Sequence, residues 1–172
     1  MDIEKLAEVV ATSAHGATGQ LRKYTFEPYI VHPRAVVEIV KSIPNSTPEM
    51  RAAAWLHDVV EDTSLTLKHI KKWFGVEVRD MVAGLTNVQN SEGNRALRFE
   101  MNLERLKNSS NKVKTIKVAD LIDNTKTITE YDPKFSTIYL AEKRRLLDEA
   151  LRGADQELWA LAWRQINGSK SI

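Results

Sequence analysis

The sequence contains no cysteine. That excludes disulfides, thiolate zinc sites and iron–sulfur ligation, and it suits a reducing compartment such as the cytoplasm. No apolar run reaches the 18 residues a transmembrane helix needs, so no membrane span is expected. The opening Met1-Asp-Ile-Glu-Lys lacks the basic-then-apolar layout of a secretory signal. Glycine and proline are scarce, at seven and five, and there is no low-complexity linker or internal repeat. Charge of either sign is not in excess: the formal net value is +2. Without a long basic run or interleaved aromatics, that balance does not argue for a nucleic-acid partner. What is present, 42% hydrophobic and 28% charged residues in a chain of 172, is ordinary globular composition with enough material for a substantial core. A single domain over 1–172 is expected, with 170–172 as a frayed tail.

Hydrophobic spacing reads as helix after helix. Ile3, Leu6, Val9 and Val10 give an amphipathic first helix ending near His15-Gly16. A polar connection carries Gly19-Gln20-Leu21-Arg22-Lys23-Tyr24, and the next helix has Pro33 near its first position. Thr66 can cap a helix lined by Leu67, Ile70 and Phe74 that stops at Gly75. Val78, Met81, Val82 and Leu85 mark another, and Asn87 to Asn94 is the most polar loop. Leu97, Met101, Leu103 and Leu106 form a helix with a charged surface. Further helices cover Val113 to Ile128, follow Asp132-Pro133, and contain Leu158, Trp159, Leu161, Ala162 and Ile166. No alternation at period two appears, so the fold class is all-α, a bundle of about eight to ten helices.

The stretch Ala52 to Thr63 organises the rest. Thr47, Pro48 and Glu49 supply a hydroxyl cap, a proline at the first helical position and an acid in the first turn. The helix they start is apolar nearly all round and is expected in the core. Yet it carries His57, Asp58, Glu61 and Asp62, and on a continuous helix His57 lies over Glu61 and Asp58 over Asp62. Fraying into solvent accounts for Glu61 and Asp62 but not for ionisable groups within the apolar run. Such groups are costly to bury unless paired or bound to metal, so a metal or catalytic site is the better reading. Asp120 raises the same question, because it falls between Val113 and Ile116 on an apolar stripe with Asn124 one turn later. Its plain alternative is a salt bridge to a lysine such as Lys117. For His32, beside Pro33, the alternative is a capping or packed histidine. Two imidazoles and two carboxylates make an N/O set suited to Mn²⁺, Fe²⁺ or Zn²⁺.

These residues fall in a familiar order. Arg22-Lys23…Pro28-Tyr29-Ile30-x-His32-Pro33, Ala54-x-Leu56-His57-Asp58-x-x-Glu61-Asp62-Thr63, Phe74-Gly75-x-x-Val78 and Lys117-x-Ala119-Asp120-x-x-x-Asn124 resemble the HD-domain metallophosphohydrolases. More narrowly, they resemble the hydrolase domain of RelA/SpoT proteins and the small alarmone hydrolases, including the metazoan SpoT homologue. The resemblance implies metal ligands His32, His57, Asp58 and Asp120, typically holding Mn²⁺, with Zn²⁺, Fe²⁺ or Mg²⁺ as alternatives. It implies Glu61 and Asp62 as the catalytic pair that orients or deprotonates the attacking water. Arg22, Lys23 and Asn124 match substrate-contacting positions, and Tyr139 an aromatic contact. The plain readings beside these are a solvated basic pair, a buried asparagine and a core tyrosine.

The implied reaction is hydrolysis of the 3′-pyrophosphate from guanosine alarmones, ppGpp or pppGpp, giving GDP or GTP and pyrophosphate. The same centre acting on an adenosine alarmone, on the 2′-phosphate of NADPH or on a nucleoside monophosphate is the alternative. A non-catalytic nucleotide-binding module ranks lower, since all four ligands and both catalytic acids are present. Three departures from the family pattern bear on the substrate. Phe26 stands where glycine is common, Leu121 replaces a basic residue, and the loop after Thr86 lacks a lysine, for which Arg95 and Arg98 are candidate substitutes. Nothing in these residues specifies an oligomeric state.

Overall fold

Helix starts in this protein are written by short polar side chains. In the computed structural model, which describes residues 2–168, Asp2, Thr47, Asn94, Ser110, Asp132 and Asp155 each accept a hydrogen bond from a backbone N–H in the first turn of the helix that follows. Each such cap stabilises its helix by about 1 kcal/mol. Pro48 and Pro133 open two of them, where the missing N–H costs nothing.

The elements are α1 (Ile3–Ala17), α2 (Val31–Lys41), α3 (Pro48–Leu56), α4 (Val59–Asp62), α5 (Leu67–Leu85), α6 (Arg95–Lys107), α7 (Asn111–Tyr131), α8 (Pro133–Glu149) and α9 (Gln156–Asn167). A 3-10 turn (Asn90–Glu92) lies in the polar loop before α6. Among the described residues the only extended pairing is an isolated antiparallel bridge between Leu21 and Pro28. The all-α expectation therefore holds. The tail expected at 170–172 lies outside the described residues. No helix among those described is long and apolar enough to cross a membrane.

Backbone contacts divide the chain into two compact units, Met1–Asn87 and Val88–Ile172. In the first, α3 packs against α1, α2 and α5. Ala52, Ala53, Ala54 and Leu56 are fully buried there and Trp55 nearly so, as the all-round apolar pattern requires. Glu4 of α1 ties this arrangement together, pairing with Arg51 of α3 at 2.7 Å and Lys41 of α2 at 2.9 Å. Burial raises the Glu4 pKa, but these two cations outweigh it and hold the carboxyl below its usual value. In the second unit, α7 packs against α8 and α9, and α8 also contacts α6 and α9. Ile116, Val118, Ala119, Leu121 and Leu147 lie in its core.

One element matches the sequence reading and one differs. The helix begun at Thr66 stops at Gly75 as expected and a second helix follows, α5 spanning the two across a kink. Gly75 takes φ +86°, a left-handed conformation that glycine tolerates without a Cβ clash. The continuous helix expected through His57 to Asp62 is instead broken between α3 and α4. Asp58 adopts φ −104°, ψ −7°, the sparsely populated bridge region. The His57 ring nitrogen Nδ1 sits 2.8 Å from the Ala54 carbonyl, the acceptor that continued helix would assign to the Asp58 amide.

Candidate metal centre

The break at the end of α3 is what creates the site. His57 donates its Nδ1–H to the Ala54 carbonyl at 2.8 Å, which leaves Nε2 as a lone pair. From the first turn of α2, His32 brings its own Nε2 to within 3.2 Å of that atom. Asp58 Oδ2 lies 2.9 Å from His57 Nε2 and 3.8 Å from His32 Nε2. Both imidazoles are buried, 1% and 2% exposed, and one ligand atom from each of the three residues falls within 4.8 Å of the others. The Tyr29 hydroxyl donates to Asp58 Oδ2 at 2.5 Å, orienting the carboxylate. An imidazole nitrogen and a carboxylate oxygen facing each other at 2.9 Å need a proton or a cation between them. A backbone carbonyl setting the tautomer of a ligating histidine is the usual arrangement around a bound cation. The residues present thus fit a divalent metal held by nitrogen and oxygen.

The two downstream acids sit on the four-residue α4, whose N-cap is Asp58: the amides of Glu61 and Asp62 donate to the Asp58 carbonyl at 3.1 and 3.0 Å. Each carboxylate is held by a residue distant in sequence. Glu61 Oε1 accepts from the Asn87 backbone amide at 2.6 Å and from its side-chain amide at 3.1 Å. Asp62 Oδ2 accepts from Gln20 Nε2 at 2.8 Å. Both acids remain exposed to solvent. Two clamped carboxylates next to a cation site have the makings of proton-transfer groups.

Arg22 and Lys23 lie on a loop whose ends are pinned by the Leu21–Pro28 bridge and by the Arg22 amide donating to the Glu27 carbonyl at 2.9 Å. The Arg22 guanidinium stands over the Tyr29 ring at 5.9 Å, so the residue that holds Asp58 also supports this cation. Lys23 donates to the Tyr24 hydroxyl at 3.0 Å. Phe26, at the tip, is 73% exposed and takes φ +59°, a conformation that suits glycine and strains phenylalanine.

In the second unit, Asp120 on α7 is 5% exposed. Lys117 reaches its Oδ2 at 2.8 Å and Asn124 donates to its Oδ1 at 2.6 Å. The ion pair anticipated as the plain alternative is therefore formed. Tyr139 is buried on α8, its hydroxyl 3.4 Å from Thr125 Oγ1 and its ring 5.2 Å from the Lys143 ammonium. Desolvation, reinforced by Lys117, lowers the Lys143 pKa to about 8. Arg95 forms a two-pronged pair with Glu142 at 2.8 and 2.7 Å and lies over Phe135. Arg98 Nη1 donates to the Gly93 carbonyl at 2.6 Å.

Sequence reasoning placed Tyr29 only within a motif and missed Gln20 and Asn87 as partners of the two acids. Gln20 stands two residues before Arg22, and Asn87 opens the most polar loop. Both were visible as polar punctuation, but nothing local names a partner 42 or 26 positions away.

The HD domain family profile matches residues 7–144, running through both units, and the chain belongs to the HD-domain family. It is 33% identical over 127 residues to the probable guanosine-3′,5′-bis(diphosphate) 3′-pyrophosphohydrolase of Synechocystis, covering 70% of this chain and 16% of that protein. It is thus similar to about a sixth of that longer relative. It is 31% identical to the guanosine-3′,5′-bis(diphosphate) 3′-pyrophosphohydrolase MESH1 of Drosophila melanogaster, over 90% of this chain and 88% of that one. A solved metazoan orthologue of SpoT, described as hydrolysing ppGpp with a role in starvation responses, superimposes with a TM-score of 0.84 at 26% identity. That match covers 96% of this chain and 94% of the other.

Proposed function

We propose that this protein is a metal-dependent hydrolase removing the 3′-pyrophosphate from guanosine alarmones such as ppGpp, working as one HD-type domain over 1–172. The observation that carries the reading is the cluster of His32, His57 and Asp58 followed at once by two clamped carboxylates, in a chain similar to relatives named for that activity. Asp120 is the proposed fourth ligand, assigned from its motif, with Asn124 bonded to its Oδ1. Mn²⁺ is the proposed ion, and a cytoplasmic setting goes with a nucleotide substrate. When bound, a divalent cation supplies Lewis-acid activation of water and of a phosphoryl oxygen.

The protein's own groups do the rest. Tyr29 and the Ala54 carbonyl hold Asp58 and His57 in ligating orientation. Glu61 and Asp62 orient the attacking water and take its proton, one of them returning a proton to the departing 3′-oxygen. The bond formed joins water oxygen to the phosphorus on the 3′-oxygen; the bond broken is that phosphorus–oxygen bond, releasing pyrophosphate and leaving the nucleoside 5′-phosphates intact. Arg22 and Lys23 offset charge on the phosphates, with Asn124 and Tyr139 as further substrate contacts. Incubation with ppGpp and Mn²⁺, with ion-exchange resolution of the products, tests this directly. Equimolar GDP and pyrophosphate are expected. Turnover of NADPH or an adenosine alarmone, with ppGpp untouched, would replace the substrate while leaving the metal centre in place.

A further inference from the structure

His15 is one of the most buried polar residues in the chain, 1% exposed. It continues a stripe on α1 whose other buried positions are Ala7 and Ala11. An imidazole there is costly unless its nitrogens are used. His15 Nδ1 lies 2.7 Å from Gln20 Oε1, and Gln20 Nε2 lies 2.8 Å from Asp62 Oδ2. Backbone bonds lock the middle of this chain: the Gln20 amide donates to the His15 carbonyl at 3.2 Å, and the Gln20 carbonyl accepts from the Tyr29 amide at 3.0 Å.

The polarity of the relay follows from its end. A carboxylate only accepts, so the Gln20 NH₂ must face Asp62, and Oε1 must then face His15. Oε1 also only accepts, so the His15 proton resides on Nδ1. Nε2 has no hydrogen-bond partner among the described residues, so the ring is held through Nδ1 alone. The same ring packs on Tyr29, centroids 4.7 Å apart, beneath the residue that orients Asp58. Asp62 itself ends a four-residue helix and is exposed, so little else restrains its rotamer.

We infer that His15 is a positioning residue for the hydrolysis, acting through Gln20 to hold the Asp62 carboxylate in one orientation with its second oxygen directed to the attacking water. The inference rests on the reading of Asp62 as a catalytic carboxylate. In the Mn²⁺-loaded protein with ppGpp, His15→Leu and Gln20→Met should each lower kcat about tenfold with KM changed by less than about twofold. The double variant should lose no more than either alone, because both cut the same chain. His15→Asn, whose Nδ2–H reproduces the ring's donor, should recover most of the rate.

Equal losses in His15→Asn and His15→Leu, or losses that multiply in the double variant, would overturn the relay. A second readout needs neither metal nor turnover. In the metal-free protein, Asp62→Asn should shift the NMR signals of the Gln20 side-chain amide and of the His15 ring N–H, and unmoved signals would refute the coupling. Should the unaltered protein release no pyrophosphate at all, the proposed substrate fails, while these NMR signals still decide the relay.

Discussion

The two units of this protein bury charge in opposite ways. In the first, His57 Nε2 and a half-buried Asp58 Oδ2 face each other at 2.9 Å, with His32 Nε2 3.2 Å from the same His57 nitrogen. In the second, the more deeply buried Asp120 faces Lys117 at one oxygen and Asn124 at the other. The first carboxylate is met by two imidazoles and a tyrosine hydroxyl, the second by an ammonium and an amide. Both look alike in sequence, as ionisable residues on apolar helices. The difference teaches that burial alone does not define a carboxylate's role; the groups that face it do.

The largest effect should come from breaking the histidine-bearing set. Asp58→Asn removes an anionic ligand and should abolish bound metal measured by elemental analysis. Pyrophosphate release should fall by about three orders of magnitude, the several kcal/mol a metal contributes to phosphoryl transfer. Retained metal with retained turnover would remove Asp58 from the metal centre.

Lys117→Met tests the lysine-bearing set. Stranding the buried Asp120 carboxylate should cost about 3 kcal/mol in chemical denaturation of the metal-free protein. If Asp120 also ligates, Mn²⁺ should restore most of that loss by supplying the missing positive charge. A loss that Mn²⁺ does not repair would confine Asp120 to a structural role.

Lys143 adds a surplus cation beside that pair, and its lowered pKa, about 8, is a pH prediction. The folded state releases this proton more readily than the unfolded chain, so the charge penalty is fully present below pH 8. It fades as pH rises towards the ordinary lysine value. Lys143→Met should therefore stabilise the protein at pH 7, by about 1 kcal/mol once the half-exposed side chain is discounted for solvent screening. The advantage should shrink towards pH 10; an advantage that is flat with pH would point to packing instead.

The smallest effect concerns the loop of the first unit. Phe26→Gly relieves a left-handed backbone and should raise stability by about 0.5–1 kcal/mol. A drop in melting temperature would mean that the exposed ring makes contacts worth more than the strain.

Much of the fold was legible because its signals are local. Thr47-Pro48-Glu49 announces α3, Asp132-Pro133 announces α8, and the apolar run after Met50 demands a buried helix. Residue type and order singled out His32, His57 and Asp58, together with Asp120, as candidate ligands, and the structure brings one atom of each of the first three within 4.8 Å of the others. The break between His57 and Asp58 was not, because helical periodicity cannot reveal that an imidazole will take the Ala54 carbonyl. Gln20 and Asn87 were invisible as partners of Asp62 and Glu61 for a different reason: a glutamine or asparagine in a polar loop is ordinary until the fold brings a carboxylate to it.

By itself, the sequence determined where helices begin, which of them must be buried, and which side chains can bind a cation, since caps, prolines and apolar spacing act over a few residues. Only the tertiary structure decided which nitrogen of His57 donates, which carboxylates are clamped and which one faces a lysine. Those outcomes depend on hydrogen bonds between atoms far apart in the chain, and no local pattern encodes such distances.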